Sequence, residues 1–234
     1  MNVNRRSKKR SGSAARVRNQ VLIVDDHPIV REGLRRLIDQ ERDLAVCGEA
    51  ESPLEAIAAI RELKPDVVIV DISLKQGDGI ELLKDARVHN PTLPILVLSM
   101  HDEAIYAERM LAAGANGYIM KQAASDQFLL ALRHVLGGGI YVSESVGNRM
   151  IRRLASGGAY GSANPIDRLS NRELQILQMI GRGLSTREAA ETLSLSVKTV
   201  EAHRQHIKRK LNLTTGSQLI QYAVSWISRP EAAA

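Results

Sequence analysis

Apolar residues recur in short unbroken runs through roughly the first 140 positions. Val21-Leu22-Ile23-Val24, Val67-Val68-Ile69-Val70 and Ile95-Leu96-Val97-Leu98 are each as long as a strand buried on both faces of a parallel sheet. Residues 44–47 and 117–120 read as two further strands. Helical patterns fall between and after them. Pro28 opens the first, where its missing N–H costs nothing, and Ile29, Leu34, Leu37 and Ile38 are expected to form its apolar stripe. Residues 53–63, 79–88, 103–112 and 125–136 continue the alternation. This order predicts an α/β fold, a doubly wound five-stranded parallel sheet, whose ligand site lies beyond the C-terminal ends of its strands.

After Gly137-Gly138-Gly139 the pattern changes. Residues 139–165, with Ser156-Gly157-Gly158 and Gly161-Ser162, read as a linker holding a short helix near 146–154. From Leu169 the chain is wholly helical, which places a small all-α module over residues 166–230. Ser170 and Glu173 are spaced as a capping box, and Leu174, Leu177 and Ile180 form the apolar face behind them until Gly181 and Gly183 stop the helix. A second helix starts near Ser185. The turn Ser194-Leu195-Ser196 leads into a third, residues 197–211. Such a helix, short turn and helix is the geometry that reads DNA. On the third helix Val200, Ile207 and Leu211 share one face, while Lys198, Ala202, Gln205 and Arg209 lie opposite, flanked by Glu201 and Lys208. His203 falls nearer the apolar face and reads as a helix-packing residue.

Charge divides the chain in the same way. Residues 1–19 carry Arg5, Arg6, Lys8, Lys9, Arg10, Arg16 and Arg18 and no acid. That tail contributes +7 against a whole-chain charge of +6, so the rest is one unit negative. The tail has almost nothing to bury and is expected to be a disordered, solvated extension. The region from Gln20 to about Ser145 is acidic and that from Pro165 onward is basic, as two domains with different partners would be. Aromatic content of 3% argues against stacking on single-stranded nucleic acid as the main activity. The single cysteine, Cys47, excludes an intrachain disulfide and a Cys-based zinc site. No apolar run is long enough to span a membrane, and the expected location is the cytoplasm.

The candidate chemistry sits where the sheet places ligands. Asp25 and Asp26 end the first strand, and Asp71 ends the third. Three neighbouring carboxylates repel one another unless a cation joins them, and an oxygen-only set favours Mg²⁺. Ser99 follows the fourth strand and Lys121 the fifth. A hydroxyl and an ammonium at the same edge suit a phosphoryl group, toward which a carboxylate can act as nucleophile. Any one of these residues alone is ordinary; five suitable types on four strand ends are not.

Val24-Asp25-Asp26-His27, Val70-Asp71-Ile72-Ser73-Leu74, Leu98-Ser99 and Gly117-Tyr118-Ile119-Met120-Lys121 together closely resemble the receiver domain of bacterial response regulators, a flavodoxin-like fold. The resemblance covers nearly all of residues 20–136 and departs at Lys75, where the family often has proline. It implies Asp71 as phosphoacceptor, Mg²⁺ held by Asp25, Asp26, Asp71 and the Ser73 carbonyl, Ser99 and Lys121 on the phosphoryl oxygens, and Tyr118 as the switch aromatic. The string from Leu184-Ser185-Thr186-Arg187-Glu188 to Ser196-Val197-Lys198-Thr199-Val200-Glu201-Ala202-His203 resembles the LuxR-type helix-turn-helix. With the receiver it implies the NarL/FixJ class. A sensor histidine kinase is then the phosphodonor, and double-stranded DNA is bound through Lys198, Thr199, Glu201, Ala202, Gln205, Lys208 and Arg209. Part of the last helix, residues 217–228, must pack on the module, and the resemblance implies that the remainder pairs with a second copy as a homodimer when phosphorylated. Two rivals share parts of the pattern. A phosphatase of the haloacid-dehalogenase type wants an acid two residues after the nucleophile, where Ser73 stands. An atypical receiver would regulate transcription without phosphorylation.

Overall fold

The computed structural model describes residues 18–74, 79–155 and 165–228. The basic tail through residue 17, Lys75 and the Gly/Ser-rich stretch 156–164 lie outside the described residues. Five parallel strands, β1 (Asn19–Val24), β2 (Leu44–Ala50), β3 (Val67–Val70), β4 (Ile95–Ser99) and β5 (Gly117–Met120), form one sheet in the order β2-β1-β3-β4-β5. Helices α1 (Pro28–Asp39), α2 (Pro53–Leu63), α3 (Gly79–His89), α4 (Glu103–Ala112) and α5 (Ser125–Leu136) connect and cover them. The apolar runs of β1, β3 and β4 are buried from end to end. Strand order reverses between β1 and β3, so the crevice outside their carboxyl ends is the natural ligand position.

Three local expectations change. Strand β2 runs three residues past the predicted 44–47 because Gly48, Glu49 and Ala50 continue the pairing with β1. Ile29 does not join the α1 stripe and is 88% exposed. The inward phase is set instead by Arg31, Leu34 and Ile38. Arg31 takes a buried position because its guanidinium is consumed by the Asp25 carbonyl, Glu49 and Glu51. The predicted linker is also built into the first domain. Tyr141 bridges to Gly117, its N–H donating to the Asn116 carbonyl and its carbonyl accepting from Tyr118. Helix α6 (Glu144–Ala155) then packs along α4, with Val146 buried and Arg149 donating to the Ala104 carbonyl at 2.7 Å and to Glu108 at 3.2 Å.

The C-terminal module comprises α7 (Asn171–Gly181), α8 (Thr186–Thr192), α9 (Val197–Lys210) and α10 (Gly216–Ile227). Capping explains its boundaries. The expected Ser170/Glu173 box caps α7, Ser185/Glu188 caps α8, Thr215/Gln218 caps α10, and Ser196 caps α9. Gly183, at φ 85°, is the left-handed residue that ends the α7 turn. Gly181 has another purpose: a Cβ there would lie 2.7 Å from the Ala223 carbonyl oxygen, so the glycine permits the close crossing of α7 and α10. Gly181→Val should therefore separate those helices and destabilise the module by about 1–3 kcal/mol. Urea unfolding followed by Trp226 fluorescence checks this, since Trp226 is buried in the same module.

Candidate functional site

The sheet brings the expected residues to one edge. Asp71 leaves β3 with its N–H on the Val24 carbonyl at 2.8 Å, and Lys121 leaves β5 with its N–H on the Ser99 carbonyl at 2.8 Å. Both are therefore locked in register with the ends of β1 and β4. The Lys121 ammonium lies 2.7 Å from Asp71 Oδ2 and 2.6 Å from Asp25 Oδ2. Asp71 Oδ1 accepts from the Ser73 N–H at 2.9 Å. Asp25, Asp26, Asp71 and Ser99 are all buried.

This pocket carries more negative than positive charge. Burial, only partly opposed by Lys121 and reinforced by Asp25, pushes the Asp71 carboxyl above the ordinary carboxylate range. Burial works against the Lys121 ammonium, yet Asp71 and Asp25 outweigh it and raise its pKa. Both shifts favour retained protons, as one cation shared by two buried carboxylates requires. His27 also enters the cluster. Its Nδ1 stands 3.0 Å from Asp25 Oδ1 and 2.9 Å from Asp26 Oδ1, so the expected oxygen-only set has an imidazole beside it. Asp25, Asp26, His27 and Asp71 each offer one ligand atom within 4.8 Å of the others, a spacing and donor chemistry that fit a divalent cation.

Above the pocket, the structure joins residues that sequence reasoning left unconnected. The His101 N–H donates to Ser99 Oγ at 3.1 Å, and its carbonyl accepts from the Tyr118 hydroxyl at 2.8 Å. Tyr118 is fully buried, and burial drives its phenol pKa upward. The His101 ring stacks on Tyr106 with centroids 4.7 Å apart. Its Nε2 lies 2.9 Å from Ser73 Oγ and 2.6 Å from the Gln175 side-chain nitrogen in α7. Burial, with Arg172 and Lys121 nearby, lowers the ring's pKa to about 4. The imidazole is therefore neutral at physiological pH, and its Nε2 lone pair accepts from both the hydroxyl and the amide. No periodicity marks His101; only its position two residues after Ser99 could have drawn notice.

On α9, Val200 and Ile207 are buried, while Lys198, Glu201, Ala202, Gln205 and Arg209 are exposed, and Thr199 and Lys208 are half-buried. His203 is half-buried against Glu173 and His206, consistent with a packing role. Glu173 is buried and bonded to Lys210 at 2.7 Å, which ties α7 to α9.

An acidic crevice at the β1/β3 switch point, answered by a lysine from β5 and followed by a capped helix-turn-helix, defines a receiver joined to a DNA-reading module. The profile described as "Response regulator receiver domain" matches residues 21–133, and that described as "Bacterial regulatory proteins, luxR family" matches residues 167–223. Oxygen regulatory protein NreC of Staphylococcus aureus is 37% identical over 210 residues, covering 88% of this chain and 96% of the relative. RcsB from Salmonella enterica serovar Typhimurium, solved bound to promoter rprA with the phosphomimetic BeF₃⁻, is 30% identical over 89% of this chain and 99% of its own, with a TM-score of 0.56. A LuxR-family two-component response regulator from Aurantimonas sp. SI85-9A1 is 33% identical over 59% of this chain, with a TM-score of 0.55. The chain belongs to the response-regulator family that couples a receiver domain to a LuxR-type regulatory domain. Its members are DNA-binding transcriptional regulators rather than catalytic enzymes.

The charge excess has a stability consequence. Folding holds the Asp71 carboxyl above its unfolded pKa, so this group favours the native state below the unfolded value and loses that contribution as pH rises. Asp71→Asn should accordingly raise the Tm at pH 7 without Mg²⁺ by about 2–4 °C. The gain should vanish near pH 3, and a differential scanning calorimetry series in pH reads both effects.

Proposed function

We propose that Asp71 accepts a phosphoryl group from a sensor histidine kinase, and that its modification controls binding of α9 to double-stranded DNA. The observation that carries this reading is the Lys121 ammonium held between Asp71 and Asp25 at the sheet edge. Such a lysine neutralises charge on an incoming phosphoryl oxygen while leaving Asp71 Oδ1 accepting only from backbone Ser73 among the bonds described above. Asp25, Asp26, Asp71 and the Ser73 carbonyl would hold Mg²⁺, which supplies charge neutralisation at the phosphoryl oxygens when bound. Ser99 is the hydroxyl that turns to a phosphoryl oxygen, and Tyr118 the aromatic that responds.

The organisation is a basic tail over 1–19, a receiver over 20–138, a connector over 139–165 and a DNA-binding module over 166–230. Lys198, Thr199, Glu201, Ala202, Gln205, Lys208 and Arg209 meet the major groove or its phosphates. Phosphorylated copies pair through α10, on which Ile220 and Val224 remain 48% and 45% exposed. Paired readers require paired half-sites. The setting is the cytoplasm, in agreement with a chain whose described helices are too short or too polar to cross a membrane.

Incubation with acetyl phosphate and Mg²⁺, followed by intact mass and peptide mapping, tests the chemical half of this reading. One phosphoryl group on Asp71 is expected, absent in Asp71→Asn and on the order of a hundredfold slower in Lys121→Ala. An unmodified wild-type chain, or a label mapped elsewhere, contradicts it.

A further inference from the structure

The DNA-binding module does more than follow the receiver in sequence. Helix α7 lies against the β4–α4 loop and α4. Gln175 bonds the His101 ring, Gln178 Oε1 accepts from the Tyr106 hydroxyl at 3.3 Å, and Arg109 donates to the Leu169 carbonyl. Arg172, one turn before Gln175, donates to the Gln175 side-chain oxygen at 3.0 Å and interacts electrostatically with Asp26 of the acidic pocket. Gln175 is thus held from the module side and reaches into the receiver side. The contact leaves exposed the α9 positions Lys198, Glu201, Ala202, Gln205 and Arg209, so it does not work by covering the groove face.

His101 has a peculiar set of bonds. Its backbone touches the Ser99 hydroxyl and the Tyr118 hydroxyl, and its single Nε2 lone pair is shared by donors from two different domains. One lone pair cannot satisfy two donors fully, so strengthening one bond weakens the other. A crevice of about 220 Å³ beside the ring, lined by Met100, Gln178, Arg182 and Leu193 among others, gives it room to shift.

We propose that His101 is the positioning residue through which the state of Asp71 reaches the DNA-binding module, by holding Gln175 while Asp71 is unmodified and releasing it when Ser99 turns to a phosphoryl oxygen. The proposal rests on the phosphorylation reading of Asp71 given above. Its physical content is the loss of one bond that fixes the loop. Ser99 Oγ is the acceptor of the His101 N–H; once that hydroxyl turns away, the loop that carries His101 loses the bond that fixes it, and the Nε2–amide contact lengthens. The module is then free to reorient and to pair with a second copy, its groove face having been accessible throughout. Because coupling is reciprocal, a chain that lacks the Gln175 bond populates the receptive receiver state more and binds a phosphoryl mimic more tightly.

The test uses the full chain, ¹⁵N-labelled, with Mg²⁺ and BeF₃⁻ as the probe. Long-range ¹H–¹⁵N spectra resolve the histidine rings, and ¹⁹F spectra report whether BeF₃⁻ is bound. The His101 Nε2 resonance should move on BeF₃⁻ binding. In Gln175→Met, which keeps the side-chain volume but removes the amide, it should be displaced in the same direction before BeF₃⁻ is added. BeF₃⁻ should bind about fivefold more tightly in that variant, read by ¹⁹F titration. Bound BeF₃⁻ with an unmoved His101 resonance overturns the proposal, and this wild-type comparison stands even if the variant does not fold. A folded Gln175→Met with the wild-type resonance and BeF₃⁻ affinity overturns it equally. Absence of bound BeF₃⁻ in the wild type is a different failure: it removes the Asp71 reading itself, and the trigger with it.

Discussion

The architecture at the sheet edge depends on one cation serving two buried carboxylates. Lys121 reaches Asp71 and Asp25 together, and those oxygens have little water to help them. A pair of charges in so dry a place is costly unless every lone pair is answered. Here the backbone of Ser73, the backbone and ring of His27, and Lys121 answer most of them, yet negative charge still predominates. The pocket is consequently a site that gains by receiving a cation.

Rigid supports hold this site. The strands that deliver Asp25, Asp71, Ser99 and Lys121 approach the edge through buried apolar residues and are paired on both sides, except β5 at the sheet margin. Strand β5 is reinforced from its free side by Tyr141, which bonds the backbone at Asn116 and Tyr118. Beyond Tyr141, α6 bonds α4 through Arg149, and α7 bonds the β4–α4 loop through Gln175 and His101. Ser99 and Tyr118 both bond the His101 backbone, and the His101 ring bonds Gln175 of the DNA-binding module.

Much of this could be read from the chain alone because the informative signals were local. Four-residue apolar runs ended by Asp, Ser or Lys disclose both the sheet and the polar groups at its edge. Ser170-Asn171-Arg172-Glu173 discloses a helix start by its spacing. The parts that escaped are those in which long-range partners decide the outcome. Arg31 lies inside only because Glu49 and Glu51, on and just after a strand that looked shorter, accept its donors. Ile29 is outside as a result of the same helix phase. Residues 139–155 read as a linker because their glycines and serines are locally loop-like, whereas Tyr141 and Arg149 find partners a long way back in sequence. His101 has no local pattern; its meaning comes from bonds to residues 28 and 74 positions away.

On the proposed reading, a modification at Asp71 changes how the C-terminal helices engage DNA. Its most direct test is the affinity of the full chain for genomic fragments it selects, measured by fluorescence anisotropy at fixed salt with and without acetyl phosphate and Mg²⁺. The account predicts tighter binding by about tenfold or more on phosphorylation, with Asp71→Asn fixed at the unmodified value. Equal affinity for the same fragments by phosphorylated and unphosphorylated chains would contradict it.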